Sequence, residues 1–344
     1  MASPSTAVTK TSLPETSTFK FISSGKVRDL YEIKDGAEEY LLFVATDRIS
    51  AYDVILNNGV PGKGALLTKI SAFWFNKLNV IIENHVVAST LDDMPSGIRS
   101  QILPYWDNLL KDRTLLVRKA KVVKLEVIVR GYLTGSAWSE YKRSGTVHGI
   151  KIPEGLVESS KLPEPLVTPS TKADQGEHDE NISPEQARAL IGNELYSLVE
   201  NAAIRCFRLA SEYALSKGVI LADTKFEFGL IPTSSSSSSS VSPATISLPD
   251  PEAPGSTKLY SLILIDEALT PDSSRYWSAA AYEPGHTQAS FDKQFLRDWL
   301  TSNGFKKGLE SGPEGKEGSG WTMSEEVVEG TKERYEDVLK MLTG

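Results

Sequence analysis

The clearest alternation of apolar and polar positions lies at residues 221–229, LADTKFEFG. Successive side chains of a β-strand point to opposite faces of a sheet. The alternation therefore predicts a strand with one apolar face and one charged face, and the charged face carries Asp223, Lys225 and Glu227. A strand whose charged face meets solvent has the same pattern, so these residues alone leave the role of the strand open.

A second apolar run, LYSLILI at residues 259–265, leads directly into Asp266. If the two strands pair, Glu227 and Asp266 meet at one end of the hairpin. Proteins commonly hold Mg²⁺ with one or two carboxylates and the phosphates of a nucleotide, so the hairpin predicts a metal site. The serine- and proline-rich residues 231–257 between the strands predict a flexible insert.

The strongest helix signal starts at Ser183, which is predicted as the N-cap residue. Pro184 follows at the first helical position, and Gln186 completes a capping box with Ser183. Apolar residues then recur with helical spacing until Gly218, which predicts one continuous helix. Cys206 falls on the apolar side of this helix, which favours a core thiol over a nucleophile. Helical spacing also predicts helices at residues 65–78, 290–300 and 324–342.

Three loops carry groups that can bind anions. Residues 23–26, SSGK, form a glycine turn between two strand patterns, where backbone amides and Lys26 can meet a phosphate. Arg130 ends an apolar strand and precedes the loop GYLTGS at residues 131–136, and an arginine there can fork onto a phosphate or carboxylate. Residues 57–64, NNGVPGKG, lead into a helix and could also bind an anion. Each loop could equally be an ordinary connection.

Composition excludes several functional classes. With 344 residues, 40% hydrophobic residues and a net charge of −8, the chain is an ordinary globular protein without the basic surface that general nucleic-acid binding requires. Its single cysteine excludes an internal disulfide, which favours the reducing cytoplasm. No apolar run is long enough to cross a membrane, the N-terminus lacks a secretory signal, and the four histidines show no zinc-binding spacing.

Seven segments, in the same order, resemble the phosphoribosylaminoimidazole-succinocarboxamide synthase (SAICAR synthetase) family, particularly its longer fungal members. The segments run from residue 24 to residue 300 and read SGKVRDLY, TDRISAYDV, GVPGKGALLT, EVIVRGYLTGSAW, LADTKFEFG, LIDEALTPDSSRYW and SFDKQFLRDWL. Seven ordered segments over most of a chain are far more specific than any one of the loops above.

The resemblance implies an ATP-dependent carbon–nitrogen ligase of de novo purine biosynthesis. It would join the carboxylate of carboxyaminoimidazole ribonucleotide (CAIR) to the amine of L-aspartate and form SAICAR, ADP and phosphate. A carboxylate is a poor acyl donor, so the γ-phosphoryl group of ATP would first convert it to an acyl phosphate. Positioning and charge neutralisation dominate such a transfer, and the implied cofactor is Mg²⁺. The enzyme would be a cytoplasmic monomer that binds neither nucleic acid nor membrane.

The resemblance also implies a role for each motif residue. The ATP-binding residues are Gly25, Lys26 and Arg28 over the phosphates, Lys121, Val122 and Val123 at an adenine-binding hinge, Glu126 on the ribose, and Asp179 near the γ-phosphate. The metal ligands are Glu227 and Asp266. The substrate-binding residues are Arg130, Ser136, Asp272 and Arg275, with both arginines toward the ribonucleotide phosphate. The catalytic residues are Asp223, Lys225 and Lys172, and Asp174 lies in the same loop as Lys172. The candidates for binding L-aspartate are Asp47, Arg48 and Lys63.

The implied fold is α+β and two-lobed, similar to kinases and ATP-grasp enzymes. A flexible tail at residues 1–18 would precede a mainly antiparallel N-terminal lobe at residues 19–120 that covers ATP. A larger, mixed C-terminal lobe at residues 121–344 would hold the metal and the ribonucleotide. The flexible insert at residues 231–257 would project outward from this second lobe.

Two other functions remain open on the residues alone. A small-molecule kinase of the same fold would use the same acidic pair and glycine turn, but its release of ADP would not require L-aspartate. A nucleotide sensor would bind ATP without turnover. The presence of Lys225 and Arg275 beside an intact acidic pair argues against a sensor with a decayed site.

Overall fold

The structure is a computed structural model that describes residues 6–52, 54–172, 179–233, 244–250, 253, 255–291, 293–306 and 320–344. Asp174, the serine-rich centre of the predicted insert and most of the glycine-rich residues 304–320 lie outside the described residues. The chain divides into two units. Unit 1 comprises Met1–Phe73, Val86–Lys119 and Ser290–Gly344, and unit 2 comprises Trp74–His85 and Ala120–Ala289.

The described residues form strands and helices with the following bounds. The strands are β1 (Phe19–Ser24), β2 (Arg28–Asp35), β3 (Glu38–Ala45), β4 (Ser50–Ala51), β5 (Val54–Ile55), β6 (Val86–Ala88), β7 (Thr114–Arg118), β8 (Lys121–Tyr132), β9 (Thr146–Val147), β10 (Ile150–Lys151), β11 (Lys161–Thr171), β12 (Val219–Pro232), β13 (Thr245–Pro249), β14 (Thr257–Ile265) and β15 (Ser274–Ser278). The helices are α1 (Lys63–Leu78), α2 (Ser96–Ile102), α3 (Gly135–Ser144), α4 (Pro184–Ile191), α5 (Asn193–Ser216), α6 (Gln294–Ser302) and α7 (Glu325–Thr343).

Unit 1 is built on an antiparallel sheet with strand order β1-β2-β3-β7-β6. Alternate residues of β3, Leu42 and Val44, point into a core that also contains Ile98 and Ile102 of α2. A second core joins β5 to the C-terminal helices and includes Val54, Leu296 of α6 and Val327 of α7. Both cores follow from apolar residues at strand or helix spacing.

The N-terminal residues of unit 1 are attached to its sheet. Leu13 is buried in the core beside β2, and Val8 forms two hydrogen bonds with Asp47. Residues 8–13 belong to the segment that the sequence predicts as a flexible tail. The structure holds them in place, because their backbone groups pair with buried carboxylates that lie far away in the sequence.

Unit 2 is built on an antiparallel sheet with strand order β11-β8-β12-β14-β13, to which β15 adds by pairing with β12. Strand β12 therefore has three partners, β8, β14 and β15, and is central. Helix α5 packs against β12 and buries a stripe that includes Val199, Cys206 and Ala210. Burial raises the pKa of Cys206 to about 12, so the prediction of an inert core thiol is confirmed.

The continuous helix predicted from Ser183 to Gly218 is wrong. The predicted capping box is present, with Ser183 Oγ accepting from Gln186 N at 3.2 Å and Gln186 Oε1 accepting from Ser183 N at 2.8 Å. The helix then ends at Ile191, because Gly192 has a left-handed φ of 89° that no helix can include. A second helix, α5, starts at the next residue.

The predicted flexible insert is also partly a strand. Residues 245–249 form β13, in which Ile246 is buried, and pair in register with β14. Their alternating sequence TISLP supports a strand despite the low-complexity residues before it. Within the described part of the chain, no helix is long and apolar enough to cross a membrane.

Candidate active site

Strand β12 places the predicted charged face in the interior of unit 2. Asp223, Lys225 and Glu227 keep a regular register with β8 without a bulge, so the three side chains share one face. Asp223 and Glu227 are each only 4% exposed. This burial excludes the alternative of a solvated charged face and requires that each carboxylate have a partner.

The partners of Glu227 are two lysines. Lys225 Nζ donates to Glu227 Oε1 at 2.5 Å and to Glu126 Oε1 on β8 at 2.7 Å. Lys172, just after β11, donates to Glu227 Oε2. Burial would lower the pKa of Lys225, but the charges of Glu227, Glu126 and the neighbouring Asp266 outweigh burial and raise that pKa. Lys225 is therefore a permanent cation at neutral pH.

Glu126 lies opposite Glu227 in the pairing of β8 with β12. Burial raises the pKa of Glu126, and the nearby charges of Glu227 and Asp179 raise it further, whereas Lys225 acts in the opposite direction. The prediction placed Glu126 on a nucleotide ribose. In the structure, Glu126 is one of the carboxylates that accept from Lys225.

The hairpin that brings Glu227 and Asp266 together is confirmed. Glu227 pairs with Ile265 in the register of β12 and β14, and Asp266 is the next residue. Asp266 has a left-handed φ of 65°. That conformation costs free energy for a residue with a side chain, and such residues cluster at functional sites.

The donor set of this hairpin fits Mg²⁺ bound with a nucleotide. Within the described part of the chain, no group of three or more His, Cys, Asp or Glu side chains is arranged as a metal cage. Glu227 and Asp266 provide two hard oxygen ligands, the number that Mg²⁺ takes from a protein when phosphates supply the others. Each oxygen of Glu227 accepts from one lysine here, and a second lone pair on each oxygen remains for a cation.

The other end of the charged face is an arginine cluster around the buried Asp223. Asp223 pairs in the sheet with Arg130 of β8 on one side and with Arg275 of β15 on the other. Arg130 Nη1 donates to Asp223 Oδ2 at 3.3 Å, and Arg275 Nη1 donates to the same oxygen. Two guanidinium groups flank this one carboxylate, and arginine side chains are well suited to bind an anionic ligand.

Arg130 is fixed more firmly than the sequence alone shows. It is 3% exposed, and its Nε donates to Thr168 Oγ1 of β11 at 3.0 Å. Burial lowers the pKa of Arg130, while the charge of Asp223 raises it. Thr168 was not predicted as a site residue. The sequence signal for Thr168 was a polar residue that directly follows two apolar residues in the segment LVT.

The N-terminus of α3 lies against Arg275. Gly135 has a left-handed φ of 59°, and a Cβ atom there would lie 2.7 Å from Arg275 Nη2. The N-cap residue Thr134 makes no side-chain cap hydrogen bond, and Ser136 is in the first turn. Helix N-termini attract anions, and Gly135 brings this one against the guanidinium of Arg275. Gly135 was missed by the sequence reasoning, although glycine at a close approach is its signal.

The turn between β14 and β15 is braced by side chains. Thr270 Oγ1 donates to Glu267 Oε2 at 2.5 Å and accepts from the backbone of Asp272 at 3.3 Å. The backbone of Lys225 donates to Ser273 O at 3.0 Å, which ties this turn to β12. The turn therefore holds Asp272 next to the strand that carries the charged face.

The remaining predicted ATP residues lie in different parts of the chain. Gly25, Lys26 and Arg28 lie in unit 1, where β1 joins β2. Residues 121–123 start β8 in unit 2, where Val122 is exposed and Val123 is buried. Asp179 lies in unit 2, close enough to Glu126 to raise its pKa.

Comparison with known proteins identifies the family. A sequence model of SAICAR synthetase matches residues 21–236 and 255–311. The chain belongs to the SAICAR synthetase family. It is 49% identical to the phosphoribosylaminoimidazole-succinocarboxamide synthase of Pichia angusta over 94% of each chain, and 46% identical to that of Saccharomyces cerevisiae over 98% of each. A solved SAICAR synthase from Saccharomyces cerevisiae, in complex with SAICAR, is 43% identical with a TM-score of 0.74 and 98% of each chain covered.

The family settles the reaction. The chain is an ATP-dependent ligase of de novo purine biosynthesis, and it joins CAIR to L-aspartate to form SAICAR. The predictions of family, reaction and enzyme class are confirmed. The fold is mixed, with antiparallel sheets and packed helices, as in the SAICAR synthase structure.

Proposed function

We propose that the charged face of β12 is the catalytic centre of this SAICAR synthetase, with Mg²⁺ and the ATP phosphates at the Glu227 end and the ribonucleotide at the Asp223 end. One observation carries the proposal. A single buried strand face joins a strained acidic hairpin to a two-arginine cluster, through Lys225 between them. The strand face therefore carries carboxylates at the proposed Mg²⁺ and ATP end and arginines at the proposed ribonucleotide end, with Lys225 between them.

At the carboxylate end, Glu227 and Asp266 are the residues that hold Mg²⁺. The ion supplies neutralisation of the phosphate charge when it is bound. Lys225 and Lys172 bring two further cations to the same carboxylate. Their side chains stabilise negative charge on the transferring phosphoryl group, since such transfers depend mainly on positioning and electrostatics.

At the arginine end, Arg130, Arg275 and Ser136 hold the phosphate of the ribonucleotide, and Asp272 lies beside it. The two arginines and the N-terminus of α3 both favour an anion with several oxygens. The SAICAR that is bound in the Saccharomyces cerevisiae relative carries such a phosphate and supports the assignment.

The remaining assignments concern ATP. Gly25, Lys26 and Arg28 cover its phosphates, and residues 121–123 read the adenine through their backbone. Glu126 binds the ribose while it shares Lys225. Asp179 lies near the γ-phosphate. This arrangement belongs to a two-lobed architecture similar to kinases and ATP-grasp enzymes, in a monomeric cytoplasmic enzyme.

The chemistry proceeds through an acyl phosphate in two steps. An oxygen of the CAIR carboxylate attacks the γ-phosphorus of ATP, and the bond from phosphorus to the ADP oxygen breaks. The amine of L-aspartate then attacks the activated carbonyl carbon, phosphate leaves, and the nitrogen loses a proton. None of these bonds requires a side-chain nucleophile, which agrees with the inert, buried Cys206.

The decisive experiment measures release of ADP and phosphate with each of the three substrates omitted in turn. We expect ADP release to depend on CAIR and steady turnover to require L-aspartate, with the amide product detected by mass spectrometry. Steady ADP release without L-aspartate would establish a kinase instead. Tight binding of ATP without any turnover would establish a sensor.

Substitution Gly135→Ala tests the ribonucleotide end. A methyl group there would collide with Arg275 Nη2, so we expect displacement of the guanidinium. The KM for CAIR should rise about tenfold, the effect of losing one charge-assisted contact. The KM for ATP should stay unchanged, as measured by initial rates.

The matched control for Gly135→Ala is Gly145→Ala at the other end of α3. Gly145 has a similar φ of 67°, but a Cβ atom there would meet no heavy atom within 4 Å. It therefore reproduces the backbone strain without touching Arg275. An equal rise in the KM for CAIR in both variants would show that strain in α3, rather than Arg275, is the cause.

A further inference from the structure

Arg48 makes five hydrogen bonds inside unit 1. Its Nε donates to Lys26 O at 3.3 Å, and its Nη1 donates to Thr9 O at 2.6 Å. Its Nη2 donates to Gly25 O at 2.9 Å, Arg28 O at 3.1 Å and Asp29 Oδ1 at 2.8 Å. The side chain is almost completely buried. These bonds engage every nitrogen of the guanidinium, so the geometry does not favour binding of the L-aspartate substrate.

The carbonyl oxygens of residues 25–28, which we name the glycine loop, all accept hydrogen bonds from residues of unit 1. Three of them accept from Arg48, and the fourth, Val27 O, accepts from the backbone and hydroxyl of Thr46 at 2.9 Å each. The bond from Gly25 N to Arg28 O at 2.7 Å closes the turn. Carbonyl oxygens repel phosphate, so a loop that covers phosphates must turn them away.

The N-terminal residues 8–11 complete the site of Arg48. Thr9 supplies one acceptor, and Thr11 donates twice to Asp29 Oδ2, from its backbone at 3.0 Å and from its hydroxyl at 2.6 Å. Asp29 also accepts from Ser24 Oγ at 2.7 Å, at the edge of the glycine loop. Burial would raise the pKa of Asp29, but the bonds from Arg48, Thr11 and Ser24 outweigh it and lower that pKa. The carboxylate is therefore charged at neutral pH.

We propose that Arg48 is a positioning residue for ATP, which holds the glycine loop with its carbonyl oxygens turned inward and depends on residues 8–11 for its own position. The proposal rests on the proposed function of the glycine loop over the ATP phosphates. Only an arginine can do this, because its planar fork reaches acceptors in several directions, whereas a lysine offers one point charge.

The test is Arg48→Lys in the full chain, which keeps the charge and removes the fork. We expect the KM for ATP to rise at least about tenfold, the scale expected from a small misplacement of a binding group. The KM values for CAIR and L-aspartate should stay unchanged. A rise in the KM for L-aspartate would overturn the proposal in favour of direct binding. A lower kcat with all three KM values unchanged would overturn it in favour of a merely structural role.

A second variant covers the case in which Arg48→Lys does not fold. Thr11→Val keeps the shape of the side chain and removes its hydroxyl bonds to the charged Asp29 and to Tyr31, so the KM for ATP should rise about tenfold, the effect of one hydrogen bond to a charged group. The matched control is Thr16→Val, whose hydroxyl contacts only the exposed Thr18 among the described residues. An unchanged KM for ATP in Thr11→Val would overturn the role of residues 8–11.

Lys26→Ala separates this proposal from the function of the glycine loop. If Lys26→Ala raises the KM for ATP and the Arg48 and Thr11 variants do not, the positioning role of Arg48 is wrong, whereas the glycine loop still binds the ATP phosphates. If none of the three variants changes the KM for ATP, the placement of the ATP phosphates at the glycine loop is wrong.

Discussion

Substitutions Glu227→Gln and Asp266→Asn are each expected to reduce turnover with Mg²⁺ and ATP by at least about 100-fold, the scale of removing one charge-stabilising group. Each amide keeps the size of the side chain but removes a negative charge from the acidic hairpin. In Glu227→Gln, Lys225 and Lys172 also lose their shared carboxylate. The measurement is kcat over a range of Mg²⁺ concentrations, together with circular dichroism to establish folding.

The matched control is Glu164→Gln, which removes a negative charge of unit 2 from an exposed ion pair with Arg208. Exposed pairs contribute little to stability, so this variant should keep normal activity. Turnover near the wild-type rate in either Glu227→Gln or Asp266→Asn would refute the metal assignment. Binding of ADP without Mg²⁺ should be the same in all the variants, which distinguishes loss of the metal from loss of the nucleotide site.

Asp223→Asn is expected to lower the free energy of unfolding by about 3 kcal/mol, the lower end for removing one partner of a buried ion pair. Asp223 accepts hydrogen bonds from both Arg130 and Arg275. Asp223 and Arg130 are almost fully buried. Without the carboxylate, two like charges face each other with only a neutral amide between them. Urea denaturation of the variant and the wild type measures this difference.

The same variant tests what the arginine cluster binds. Because an added anion can replace the missing carboxylate charge, phosphate or CAIR should raise the melting temperature of Asp223→Asn more than that of the wild type. The Glu164→Gln variant again serves as the control, with no difference expected. A loss of stability below about 1 kcal/mol would show that the cluster is solvated rather than buried.

Local sequence patterns were sufficient to predict the elements that depend on residues close together in the sequence. Alternation predicted β12 and its charged face, and the capping box predicted the start of α4. The same local reasoning failed at Gly192, where the apolar stripe continues across a break in the helix. Side-chain spacing reports which face is buried, but it does not report the φ of one glycine.

Two segments were predicted to be flexible from their composition. Composition contains no information about contacts with residues that lie elsewhere in the chain. Residues 8–13 contain few apolar side chains, yet their backbone groups bond to Asp29 and Asp47. Residues 245–249 follow a run of serines, yet they add a strand to β14. In both cases the partner lies elsewhere in the chain and supplies the order that the segment lacks by itself.

By itself, the sequence determined the family, the reaction and the residues that share the face of β12, because these depend on ordered motifs and on the two-residue period of a strand. Only the tertiary structure decided their partners. Lys225 joins Glu126 to Glu227, and Asp223 joins Arg130 to Arg275. These links require β8 and β15 to pair with β12 in one register, and burial then forces each charge to find a partner of opposite sign.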